Sequence, residues 1–140
     1  MCSSDLALGQ IGDAAAVPGL LHALGDADAD VRQAAAWALG QLGDATAVPG
    51  LLHALGDANA NVRQAAAAAL GQIGDKAAVP GLLAALGDAD ADVRQAAAAA
   101  LGQIGDKAAV PGLLRALRDA SWYVREIGRA SCRERVCYAV

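Results

Sequence analysis

Two apolar rhythms alternate along this chain, and both have helical spacing. In DADVRQAAAWALGQLG, residues 28–43, Val31, Ala35, Ala38, Leu39 and Leu42 fall at i, i+4, i+7, i+8 and i+11, which is one face of a helix. Asp28 or Asp30 can cap the start, and Gly43 supplies a left-handed stop. In AVPGLLHALGD, Val48, Leu51, Leu52 and Leu55 fall at i, i+3, i+4 and i+7, with Pro49 in the first turn, where a missing N–H does no harm. The spacing predicts helices near 29–42, 60–73 and 91–104, alternating with shorter ones near 46–56, 77–87 and 108–118. No stretch reads as a strand.

The pattern repeats every 31 residues. Leu8, Leu39, Leu70 and Leu101 coincide under that shift, as do Gly12, Gly43, Gly74 and Gly105, and Pro18, Pro49, Pro80 and Pro111. A fixed period of this size marks stacked helix-turn-helix units, none of which buries its apolar face alone. The chain is 56% hydrophobic but only 3% aromatic, without Phe, so the expected core is Ala, Leu and Val. The alanine runs favour helix and let neighbouring helices approach closely.

Charge excludes some partners. The net charge is −4, which argues against a phosphate-backbone binder, and no apolar run approaches membrane-span length. Residues 1–114 carry −7 and residues 115–140 carry +3. No signal peptide is recognisable, and a cytoplasmic location is expected. Cys2, Cys132 and Cys137 all lie outside the regular body, so neither a disulfide framework nor a zinc site is indicated.

The motif D-x-x-V-R-x-A-A-x-x-A-L-G-x-(I/L)-G-D, followed by A-V-P-x-L-L-x-A-L, resembles the HEAT-like repeats typified by the phycobilisome-lyase class. The resemblance spans residues 7–125. It implies an all-α fold, a right-handed α-solenoid, with the first helices of each unit on the convex side and the second helices on the concave side.

Both ends depart from the repeat. Residues 1–6, MCSSDL, and the string EIGRASCRERV from Glu126 resemble translated sequencing-adapter sequence, so 1–6 and 126–140 are expected to be non-native flanks of a fragment from a longer repeat protein. Continued as a helix, the last segment would turn Val124, Ile127, Ser131, Cys132 and Arg135 inward, a half-polar face and a poor cap. Uncapped ends predict self-association, with opposite charges favouring head-to-tail contact.

Candidate chemistry is sparse. Between residues 7 and 120 there is no Cys, Tyr, Glu or Ser, and Thr46 is the one hydroxyl, so no nucleophile–base pair is available. No catalytic residue, metal site or cofactor is expected. His22 and His53 share one repeat position, followed by Ala84 and Arg115; stacked neighbours roughly 10 Å apart cannot hold one metal directly, and both read as solvated. That position, with Gly19, Gly50, Gly81 and Gly112, marks the candidate partner-binding face on the second helices, a groove expected to be charge-poor. Trp37, where other units have alanine, is a candidate anchor, although packing beside the first unit is the plainer reading. Trp122 and Tyr123 also read as packing residues. Arg32, Arg63, Arg94 and Arg125 read as a structural ladder bonded to turn aspartates or carbonyls.

The function these features favour is a non-enzymatic protein-interaction scaffold with a protein partner. The alternatives are an accessory subunit of a bilin lyase, implied only by the resemblance, and a consensus-designed solenoid, against which the adapter-like ends speak.

Overall fold

A computed structural model describes residues 14–119 and 121–131. Every regular element among them is helical: α1 Val17–Ala23, α2 Ala29–Leu42, α3 Val48–Ala54, α4 Ala60–Ile73, α5 Val79–Ala85, α6 Ala91–Ile104, α7 Val110–Ala116 and α8 Trp122–Ser131. Long even-numbered helices form one layer, with α2 on α4, α4 on α6 and α6 on α8. Each short odd-numbered helix packs on the long helix that follows it. The result is an α-solenoid.

The long helices begin and end where the sequence places them. Asp28, Asn59 and Asp90 cap α2, α4 and α6, each accepting the N–H two residues on, and Gly43, Gly74 and Gly105 close them at φ 70, 77 and 72°. That left-handed conformation is nearly free for glycine and costly for a residue with a Cβ. The short helices α3, α5 and α7 are two residues shorter at each end than the apolar spacing predicts. The first turn of the short helices is a 3-10 turn, at Ala14–Ala16, Ala45–Ala47, Lys76–Ala78 and Lys107–Ala109. Asp44, Asp75 and Asp106 cap the last three of these through the N–H of Thr46, Ala77 and Ala108. They close with tightened turns such as Gly56 N–H to His53 C=O.

One continuous core runs between the layers. Its bulk comes from leucine and valine (Leu39, Leu51, Val62, Leu70, Leu82, Val93, Leu101 and Leu113 among them) embedded in buried alanine. Small side chains set the distance between long helices. A Cβ on Gly40 would lie 2.8 Å from Ala69 Cα, and one on Gly71 the same distance from Ala100 Cα.

The sequence register changes at Glu126, yet α8 occupies the place of the next long helix through Ser131. Val124 and Gly128 are buried and Ile127 packs against the core. Ser131 stands one period after Ala100, touches Gly102 and donates its hydroxyl to Ala98 C=O at 3.4 Å. Residues 1–6, Cys132 and Arg135 lie outside the described residues.

Candidate partner-binding face

The four ladder arginines lie along one edge of the solenoid, where each short helix turns into the next long one. Arg32 grips both carboxylate oxygens of Asp57 (2.8 and 3.0 Å), Arg63 those of Asp88 (2.8 and 3.1 Å) and Arg94 those of Asp119 (2.8 and 3.1 Å). Each aspartate belongs to the turn of the following unit. The remaining guanidinium nitrogen donates to carbonyls of the arginine's own turn, such as Asp57 and Ala58 for Arg63. Arg125 makes the same kind of bond to Asp119 C=O at 2.7 Å. A forked donor joins two turns and fixes their spacing, a geometric task suited to arginine.

The aspartates are held below the usual carboxylate range. At Asp57 and Asp119 the arginine hydrogen bond is the main cause, opposed by partial burial. At Asp88 burial is the largest influence and opposes ionisation, but Arg63 and the Asp90 N–H together outweigh it. Because these carboxylates release protons more readily when folded, acid favours unfolding. Their contribution is present above the ordinary aspartate value of about 4 and is lost as pH falls through the lower folded values. Thermal melts followed by circular dichroism should show little change between about pH 7 and 5 and a falling midpoint below about 4. Arg63→Gln should cost about 1–2 kcal/mol at neutral pH and flatten that acid limb; equal pH dependence in both proteins would refute the assignment.

The short helices form the other layer, and the ladder residues Arg32, Asp57, Asp88 and Asp119 stand on the rims of the clefts between them. These shallow clefts measure about 470 Å³ (α1 and α3), 290 Å³ (α3 and α5) and 620 Å³ (α5 and α7). His53 lines the first, Ala84 the second and third, and Arg115 the third, so one repeat position reaches successive clefts. His22 and Gly19 are exposed on α1. Gly50 lines the first cleft and Gly81 the second, and the glycines of this position also receive leucine side chains. Leu21 closes over Gly50, Leu52 over Gly81, and Leu83 with Leu86 over Gly112, each leucine coming from the preceding short helix. They are sockets for those leucines, and Gly112 is buried.

The groove is also not uniformly charge-poor. Arg115 and Arg118 flank the third cleft, and both are exposed. Arg118 was not singled out by the motif reading, although its signal is in the sequence: it replaces the glycine found at Gly25, Gly56 and Gly87.

Trp37 is 52% exposed on α2. Trp122 and Tyr123 stack on one another, with ring centroids 4.1 Å apart and planes at 26°, but stay 56% and 54% exposed. They pack against each other more than into the core, as their place in the first turn of α8, one period after Ala91 and Asp92, requires. Among the described residues no three His, Cys, Asp or Glu side chains are grouped to hold a metal ion, and no helix is long and apolar enough to cross a membrane.

The comparisons with known proteins agree with this architecture. The chain is similar to the complex of CpcE and CpcF of phycocyanin lyase from Nostoc sp. PCC7120, with 30% identity and a TM-score of 0.81 over 93% of this chain and 57% of that one. It is similar to human deoxyhypusine hydroxylase in complex with glycerol, with 33% identity and a TM-score of 0.72 over 82% of this chain and 41% of that one. Computationally designed armadillo repeat proteins for modular peptide recognition share the fold, at 24% identity and a TM-score of 0.68 over 83% of this chain and 63% of theirs. The chain thus spans less than two thirds of the length of each. No curated protein sequence matches. The sequence pattern of HEAT repeats matches residues 6–60 and again 48–131, and the chain belongs to the HEAT-repeat family.

Proposed function

We propose that this protein is a non-enzymatic interaction scaffold that holds a protein partner along the face of its short helices. The observation behind this reading is the distribution of difference. The units are nearly identical, yet the position occupied by His22, His53, Ala84 and Arg115 varies, and it is exposed on that face in every unit. A surface kept regular in backbone and varied in side chain can recognise a segment step by step. Chemistry has little to work with there, because the repeats offer no nucleophile beside a base. Affinity capture should therefore yield a defined partner that is lost when His53→Glu and Ala84→Glu alter the face, while Gln41→Glu and Gln72→Glu on the long helices leave capture intact. Capture equal in all variants would end this reading.

Similarity to a phycocyanin lyase complex supports a second reading, an accessory subunit in bilin attachment. It predicts a shift in bilin absorbance on mixing; an unchanged spectrum removes it. Leu114 supports end-to-end self-association. It occupies the register of Leu21, Leu52 and Leu83, which cap glycines, but is 48% exposed. Light scattering across a concentration series should then show growth, reduced in Leu114→Gln.

A further inference from the structure

The two positions at which the fourth unit's short helix and its closing turn depart from the earlier ones meet at a single place. Arg115 stands where the earlier units have His22, His53 and Ala84, and Arg118 where they have Gly25, Gly56 and Gly87. Both flank the 620 Å³ cleft between α5 and α7, over a floor of Leu83, Leu86 and Ala116. The cleft's acidic member, Asp119, is already committed: both its oxygens hold Arg94, and one also accepts the N–H of Ser121. Arg115 and Arg118 form no side-chain hydrogen bond or ion pair among the described residues, and both are exposed. The corresponding cleft between α1 and α3 has the opposite character. There Asp57 is held by Arg32, and Asp26 adds a second carboxylate, which accepts the N–H of Asp28. The face therefore grades from acidic to basic along the solenoid, with an apolar floor throughout.

We infer that the cleft between α5 and α7 is the anchoring site for an acidic segment of the partner, its carboxylates on Arg115 and Arg118 and its apolar side chains on Leu83 and Leu86. This rests on the scaffold reading above and adds the partner's chemistry to it. Two guanidinium groups over an apolar floor favour a peptide that carries both carboxylates and apolar side chains; a bare polyanion would leave the leucines uncovered. Exposed arginines on a protein whose first 114 residues carry −7 also stand out electrostatically, which favours steered encounter of a negative segment with this end.

The test uses the full chain and a fluorescein-labelled peptide of alternating glutamate and leucine, read by fluorescence anisotropy, with an alternating lysine–leucine peptide as the contrast. The glutamate peptide should bind, more weakly as salt rises, and the lysine peptide should not. Arg115→Ala with Arg118→Gly should weaken binding by about tenfold or more, and should fold normally because it restores the residues that the third unit already has at Ala84 and Gly87. The converse variant, Ala84→Arg with Gly87→Arg, should install a second site in the preceding cleft and raise the stoichiometry. No glutamate-peptide binding, equal binding of both peptides, or no loss in the reverted variant would each overturn the proposal. So would wild-type self-association abolished by the same reversion, which would assign the cleft to a second copy's acidic turns. Partner capture that survives the reversion but is lost on changing His53 and Ala84 would sink this inference and leave the scaffold reading standing.

Discussion

Leu70→Ala is expected to destabilise the protein by about 2–5 kcal/mol, toward the upper end of that range, and to leave it partly unfolded near room temperature. Leu70 is fully buried in the last turn of α4. Its neighbours on that helix are Ala65, Ala66, Ala67 and Ala69, all buried, and the next long helix presents Ala97, Ala98 and Ala100. Alanine has no rotamer with which to fill a void. The cavity can shrink only if whole helices move, and the Arg63–Asp88 fork resists that by fixing the spacing of adjacent turns. Stability in a stacked array is a sum of units and their interfaces, so damage in a middle unit weakens contacts on both sides. The contrast is Leu114→Ala, which removes the same atoms from a side chain that is 48% exposed and should cost under about 1 kcal/mol. Urea unfolding followed at the helical circular dichroism band measures both. A Leu70→Ala loss as small as that of Leu114→Ala would refute the account of a core whose bulk rests on few side chains.

How much of this was legible in the sequence depends on whether a feature is local. Val31, Ala35 and Leu39 lie on one face of one helix, and Asp28 and Gly43 mark its ends within a few residues, so α2 could be bounded from its own sequence. The short helices were over-extended at their starts because the residues before them form a 3-10 turn that runs straight into the α-helix, as where Val48 N–H bonds Ala45 C=O. Recurrence of Arg32, Arg63 and Arg94 beside acidic turns pointed to pairing, but only stacking shows that each arginine takes the aspartate of the following unit, 25 residues on. The socket role of Gly50 and Gly81 was hidden for the same reason: the leucine that fills each one comes from the neighbouring helix. At the C-terminal end, identity was lost at Glu126 while the packing requirement was still met. A position packed against Gly102 needs a small side chain, and Ser131 satisfies that as Ala100 does one unit earlier. Arg118 was legible as a departure from the repeat but not as a site, because the apolar floor beside it, Leu83 and Leu86, comes from the preceding unit.

Two glycine-to-alanine exchanges in helices should have different outcomes, and the difference tests how the two layers are built. Helix propensity alone favours alanine at either site by about 1 kcal/mol. At Gly71, in α4, a Cβ would stand 2.8 Å from Ala100 Cα, 2.8 Å from Ala100 Cβ and 2.5 Å from Gln103 Oε1. Gln103 can swing away, but Ala100 belongs to the backbone of α6, so the two helices must separate. Separation would loosen the buried contacts of Leu70 and Leu101 and strain the fork from Arg63 to Asp88. Overpacking of this kind costs about 1–3 kcal/mol and should exceed the propensity gain. At Gly81, in α5, the nearest atom to a new Cβ is Leu52 Cδ2 at 2.5 Å, the tip of a half-buried side chain that can rotate toward the cleft. The cost there should roughly cancel the gain, leaving Gly81→Ala within about 1 kcal/mol of the parent. Urea unfolding should therefore separate the variants, with Gly71→Ala the less stable. If Gly71→Ala proved more stable than the parent, the long helices would have room to spare, and the close approach that sets the spacing of this solenoid would have to be abandoned.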